Sequence, residues 1–210
     1  MSTLTTGKWH HDPSVSDDHP TQGALPIQFL LREAARAIRQ GGLVAYPTEG
    51  VYGLGCDPWN PLAVERLLRL KGRSVTQGLI LLAAGWADLV PFMSPLPVAE
   101  RDRVLASWPG AITWLLPASP QAPLWLTGGG DRVAVRVTAH PMAAALCRAC
   151  GKALVSTSAN RSGQPPARSA LAVRRRFLPG TLDVILHGAL GGLSRPTPIR
   201  DAVTGVWLRR

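Results

Sequence analysis

Lys71-Gly-Arg73 sets a compact ammonium beside a planar guanidinium in a chain that otherwise prefers arginine, with 20 Arg against three Lys (Lys8, Lys71, Lys152). Such a pair suits a polyphosphate: the guanidinium can fork two oxygens while the ammonium acts as a point charge. Two cations complementing a helix C-terminus would read the same way. About thirty residues upstream the chain reads LVAYPTEGVYGLG, from Leu43 to Gly55. A buried strand (43–46) breaks at Pro47, and Thr48, Glu49 and Tyr52 follow among Gly50, Gly53 and Gly55. Glycines spaced this way allow positive φ or close approach of backbone to a ligand, and a plain strand-to-helix turn uses them too. Ser156-Thr-Ser-Ala-Asn160 ends an apolar strand and opens into a Gly/Pro loop. Its hydroxyls and amide can meet phosphate or sugar oxygens, or cap the loop as Asx and Ser/Thr turns. Finally, Arg132 to Val137 alternates strictly, so Arg132 and Arg136 share one strand face, where an arginine either forks a carboxylate or covers solvated surface.

There is no G-x-x-x-x-G-K-[ST] loop, and no nucleophile with an adjacent base. This fits a reaction promoted by positioning and electrostatics. Glu49 reads equally as a general base or as a structural carboxylate.

The elements that must hold these residues are legible as periodicities. Ile27–Gln40 has the apolar stripe of an amphipathic helix, stopped by Gly41-Gly42. Asn60 and Pro61 open a second helix and Gly72 closes it, leaving Lys71 and Arg73 expected in solvent-facing positions at its end. Leu79–Ala84 is a buried strand, Ala87–Phe92 and Val98–Trp108 short helices, and Ala111–Leu116 a strand again. After the 132–137 strand come a helix at 141–150, a strand at 153–156, a basic helix at 169–177 and a strand at 182–186. Two short strands around Thr204-Gly205 close the chain. The order predicts an α/β fold: a single domain over 26–210 with a twisted mixed β-sheet flanked by helices. Residues 1–25 lack apolar periodicity and read as a disordered or loosely attached extension.

The 210 residues suffice for one sizeable core, and 46% hydrophobic content is that of a globular domain. No apolar run is long enough to span a membrane and no signal pattern opens the chain, so a cytoplasmic location is expected. Cys56, Cys147 and Cys150 are too few for a disulfide framework, and the C-x-x-C falls in a helix without a second metal-ligand pair. Residues 26–210 carry 22 basic against 10 acidic side chains, a balance of +12 that favours polyanions such as nucleotides or RNA.

Together, P-T-E-x-V-Y-G-L-G, the K-x-R, S-T-S-A-N and the closing I-R-D resemble the YrdC-like threonylcarbamoyl-AMP synthases of the short bacterial single-domain type. The resemblance implies an open α/β fold. It implies that ATP, L-threonine and bicarbonate or CO2 become threonylcarbamoyl-AMP and pyrophosphate. Mg2+ would accompany ATP, with no tightly held protein-ligated metal. A separate tRNA threonylcarbamoyl transferase complex would then modify the adenosine next to the anticodon; direct contact with tRNA is left open. Lys71 and Arg73 match the phosphate-binding pair and Ser156, Ser158 and Asn160 the nucleotide loop, while Thr197, Arg200 and Arg209 are weaker nucleotide-side matches. Arg136 would grip the threonine carboxylate, and Thr48 and Tyr52 would line the amino-acid pocket. Gly50, Ser74 and Leu82 depart from residues common in that family. The rival reading is a non-catalytic RNA-binding or ribosome-assembly protein with a basic concave face, although 6% aromatic content offers no clear base-stacking platform.

Overall fold

Asn60 and Pro61 start a helix as their chemistry requires: the Asn60 side chain accepts from the Ala63 amide at 3.1 Å and Pro61 occupies the first turn. Gly72 ends that helix in the left-handed region (φ 59°), where a Cβ would be strained. His140, Pro141 and Gly151 repeat the device around a second helix.

The computed structural model describes residues 26–209; the expected extension at 1–25 lies outside the described residues. The helices are α1 (Ile27–Arg39), α2 (Pro61–Lys71), α3 (Val98–Leu105), α4 (Leu124–Thr127), α5 (Pro141–Cys150) and α6 (Ala170–Arg176), with 3₁₀ turns at Val75–Gln77 and Trp86–Phe92. The strands are β1 (Val44–Pro47), β2 (Tyr52–Cys56), β3 (Ile80–Ala83), β4 (Thr113–Pro117), β5 (Arg132–Val137), β6 (Leu154–Ser158), β7 (Val184–Ile185), β8 (Ile199–Asp201) and β9 (Trp207–Arg209). They form one mixed sheet in the order β7-β1-β2-β6-β3-β5-β4-β8-β9. The β3–β5, β1–β7 and β4–β8 pairs are parallel and the others antiparallel.

Alternation sorts the strand residues onto two faces. Val133, Val135, Leu81, Val155 and Trp114 join the larger core, with Val64 and Leu67 of α2 and Val173 of α6. On the opposite face Val44, Tyr46, Leu82 and Leu154 pack against Ala34, Ala35 and Ile38 of α1 and Leu146 and Cys147 of α5. Those two helices cover only part of their face. The remainder, including Ile80, Leu115, Ala134 and Ser156, stays open as the floor of a cavity.

The stretch after Pro47 departs from its expectation. Its glycines read as a turn, yet Tyr52–Cys56 is a central strand paired to both β1 and β6. None of Gly50, Gly53 or Gly55 has positive φ. Gly55 is required by crowding: a Cβ there would sit 2.8 Å from a Tyr46 ring carbon and from the Val155 carbonyl oxygen. The helix expected over 98–108 ends at Leu105, and the one expected over 87–92 is a 3₁₀ turn interrupted by Pro91.

Candidate functional site

Because β5 buries its valines in the larger core, it presents Arg132, Ala134 and Arg136 to the open half of the other face. The register places Arg136 opposite Leu82, and Ala134 opposite Leu115. The cavity above them measures about 270 Å³ and is lined by Thr48, Arg73, Arg136, Ser156, Ser158, Thr197 and Arg209 of the expected residues. Leu79, Leu115, Leu126 and Leu208 add apolar wall, enough to receive a flat ring beside charged groups.

Arg136 is 4% exposed, and its Nη1 donates to Glu49 Oε2. The other Glu49 oxygen accepts from Thr138 Oγ1 at 2.6 Å and from the Ala139 amide at 3.2 Å. Burial alone would raise the Glu49 carboxyl, but the Arg136 charge and the Thr138 hydroxyl outweigh it and hold the group below the ordinary carboxylate range. Glu49 is therefore an anion paired with Arg136. Arg136 Nε, Arg132 Nη1 and Arg73 Nε are buried without a hydrogen-bond partner. All three belong to residues lining the cavity.

Lys71 overturns an expectation. Its side chain does not face solvent: the residue is 3% exposed, and Nζ donates to the carbonyls of Ser158 (2.5 Å) and Asn160 (2.8 Å) and approaches Asn160 Oδ1 at 3.3 Å. Burial first, then the charge of Arg73, push its ammonium down to about 8. Lys71 thus supports the 158–160 loop from beneath, while Arg73, at the cavity wall, donates to the Gly78 carbonyl at 2.8 Å. Asn160 is occupied in the same loop, its Oδ1 accepting from Ser158 Oγ at 2.5 Å and its Nδ2 donating to Arg161 and Gln164 carbonyls.

Two further expected residues lie outside the cavity lining. Tyr52 belongs to the larger core, and its hydroxyl donates to the Gly188 carbonyl (2.9 Å) while accepting from the Gly188 amide (3.1 Å). Arg200 sits 5.5 Å from the Trp114 ring and 5.1 Å from the Trp207 ring, with Nε donating to the Gly205 carbonyl. Arg209 does face the cavity and donates twice to the Thr197 carbonyl, at 3.1 and 2.6 Å. Burial first, and then the charges of Arg136 and Arg73, depress its pKa. Arg132 was visible as the face-mate of Arg136 but carried no role. Leu126 and Thr127 were not legible at all, since a four-residue helix has no periodicity. Among the described residues no group of three or more His, Cys, Asp or Glu could hold a metal ion, and no helix is long and apolar enough to cross a membrane.

A model of the Sua5/YciO/YrdC family, described as telomere recombination, matches residues 36–210. The threonylcarbamoyl-AMP synthase of Halorhodospira halophila is 60% identical over 183 residues, covering 87% of this chain and 95% of that protein. P. abyssi Sua5, solved in complex with L-threonine, superposes with a TM-score of 0.76 at 36% identity over 81% of this chain and 50% of its own. E. coli YciO superposes with a TM-score of 0.76 at 29% identity, over 87% and 89% of the two chains.

Proposed function

We propose that this chain, which belongs to the Sua5/YciO/YrdC family, is a threonylcarbamoyl-AMP synthase, a nucleotidyltransferase acting on ATP, L-threonine and bicarbonate or CO2. One observation carries the reading: the guanidinium-bearing residues Arg73, Arg132, Arg136 and Arg209 line a single cavity whose lining includes no carboxylate, a site suited to anions. The threonine amine takes up CO2 to give a carbamate. A carbamate oxygen then attacks the α-phosphorus of ATP, forming the mixed anhydride as the bond to the β-phosphate oxygen breaks and pyrophosphate leaves. Such a displacement needs alignment and charge neutralisation more than covalent help. Arg73 and Arg209, both in the cavity lining, bind phosphate oxygens in this reading. Ser156 and Ser158 offer hydroxyls on the loop that Lys71 and Asn160 hold from within. Arg136, oriented by Glu49, receives the threonine carboxylate near Thr48. Tyr52 and Arg200 serve this site through the segments they pin.

Mg2+ is expected to enter with ATP on the phosphate oxygens, since the residues lining the cavity include no carboxylate. The product is taken up by a separate transferase complex for tRNA modification. A cytoplasmic location follows from substrates of that kind, and the excess positive charge suits transient contact with tRNA. That charge alone would also suit a non-catalytic RNA-binding protein, but such a protein has no use for four arginines gathered around one cavity. The deciding experiment is pyrophosphate release by the purified protein with ATP, Mg2+ and bicarbonate, comparing L-threonine, L-serine and neither. Release dependent on threonine and bicarbonate is the expected result; no release and no ATP binding would overturn the reading.

A further inference from the structure

Between β7 and β8 the chain crosses over the 48–50 turn as a strap. The Gly191 amide donates to the Thr48 carbonyl at 3.1 Å and the Leu193 amide to the Glu49 carbonyl at 2.9 Å. The fit is close: a Cβ on Gly191 would lie 2.9 Å from Glu49 Cα, and one on Gly50 would collide with the Arg195 carbonyl oxygen. Gly50, one of the departures from the family pattern, is thus where the strap presses flat. The strap then supplies Pro196 and Thr197 to the cavity wall, opposite the turn that supplies Thr48.

Three carbonyls at this crossing converge on one guanidinium. Arg168 Nη1 donates to Gly50 and Ser194 carbonyls, both at 2.8 Å, and Nη2 to the Leu193 carbonyl at 3.2 Å. The preceding residue is itself anchored: the Ala167 carbonyl accepts from the Tyr52 amide at 2.9 Å, and the Ala167 amide donates to the Ala159 carbonyl at 3.0 Å. Arg168 is exposed and lines no part of the cavity.

We infer that Arg168 is a positioning residue that locks the strap onto the 48–50 turn and so fixes the separation of Thr48, at the amino-acid end of the cavity, from Thr197 on its nucleotide side. The inference rests on the synthase reading for the identity of the substrate, but not for the clamp itself. Lysine cannot reproduce a fork that reaches three carbonyls, so Arg168→Lys should fall between the wild type and Arg168→Gln. In Arg168→Gln we expect the threonine KM to rise about tenfold while kcat stays within about threefold, the signature of lost ground-state positioning. Gly50→Ala pushes the strap away by a different route and should raise the threonine KM in the same direction. Amide hydrogen exchange in the unliganded protein gives a readout independent of turnover: the Gly191 and Leu193 amides should exchange faster in Arg168→Gln, with the thermal midpoint held within a few degrees.

Unchanged exchange and an unchanged threonine KM in Arg168→Gln would overturn the inference. So would a joint collapse of melting midpoint and both substrate KM values with Arg168→Lys no better than Arg168→Gln, since that marks a merely structural role. A wild-type protein without threonine-dependent pyrophosphate release would instead sink the synthase reading, and the exchange rates would still decide whether Arg168 holds the strap.

Discussion

Arg136 and Glu49 form a buried ion pair, 5% and 8% exposed at the side chain, and such a pair costs most when one partner is removed. Glu49→Gln leaves the guanidinium buried without a counter-ion. It should lower unfolding free energy by about 3 kcal/mol in urea titrations and raise the threonine KM at the same time. The sign of the pH response follows from the depressed Glu49 pKa. The unfolded chain takes up a proton at higher pH than the folded one, so the pair's contribution is present above the ordinary carboxylate range and is lost as acidification passes the folded pKa. Glu49→Gln should flatten the acid limb of the stability curve. None of this was legible from residue type, because Glu49 and Arg136 are 87 positions apart and lie on the turn between β1 and β2 and on β5, which come together only in the assembled sheet.

At the scale of elements, Lys71 ties the end of α2 to the loop after β6, and the two stand or fall together. Lys71→Met keeps the volume but strands the Ser158 and Asn160 carbonyls. We expect a loss of about 2 kcal/mol, together with loss of turnover as the loop relaxes. A variant as stable as the wild type but inactive would instead assign Lys71 a direct phosphate-binding role. The sequence located α2 through local signals: a capping side chain, a proline in the first turn and a glycine past the end. The direction of the Lys71 side chain could not be read, because its acceptors are backbone carbonyls from 87 and 89 residues away. β2 was missed for a related reason. Tyr-Gly-Leu-Gly-Cys has little intrinsic strand preference, and its conformation is set by partners on both sides and by the Tyr46 ring lying against Gly55. The strand at 80–83 was readable as a continuous apolar run and the one at 132–137 from its alternating valines, because both are buried in the sheet.

Over the whole molecule, positive charge exceeds negative by ten, and Arg73, Arg132, Arg136 and Arg209 concentrate it around the cavity. Affinity for ATP should therefore weaken by roughly three- to tenfold between 0.05 and 0.5 M salt, as screening shortens the reach of those charges. Calorimetric titration of ATP at several salt concentrations checks this, and a flat response would mean that the arginines are already neutralised. The sheet order adds a kinetic consequence. The floor of the cavity is built where β6, β3 and β5 lie side by side, although β6 begins roughly 70 residues after β3 ends. Bringing those strands together requires closing long loops before any contact rewards the closure, which makes folding slow and the final step cooperative. No local fragment of the chain presents half of the site, so a partly folded molecule has no cradle in which to capture ATP or hydrolyse it to no purpose.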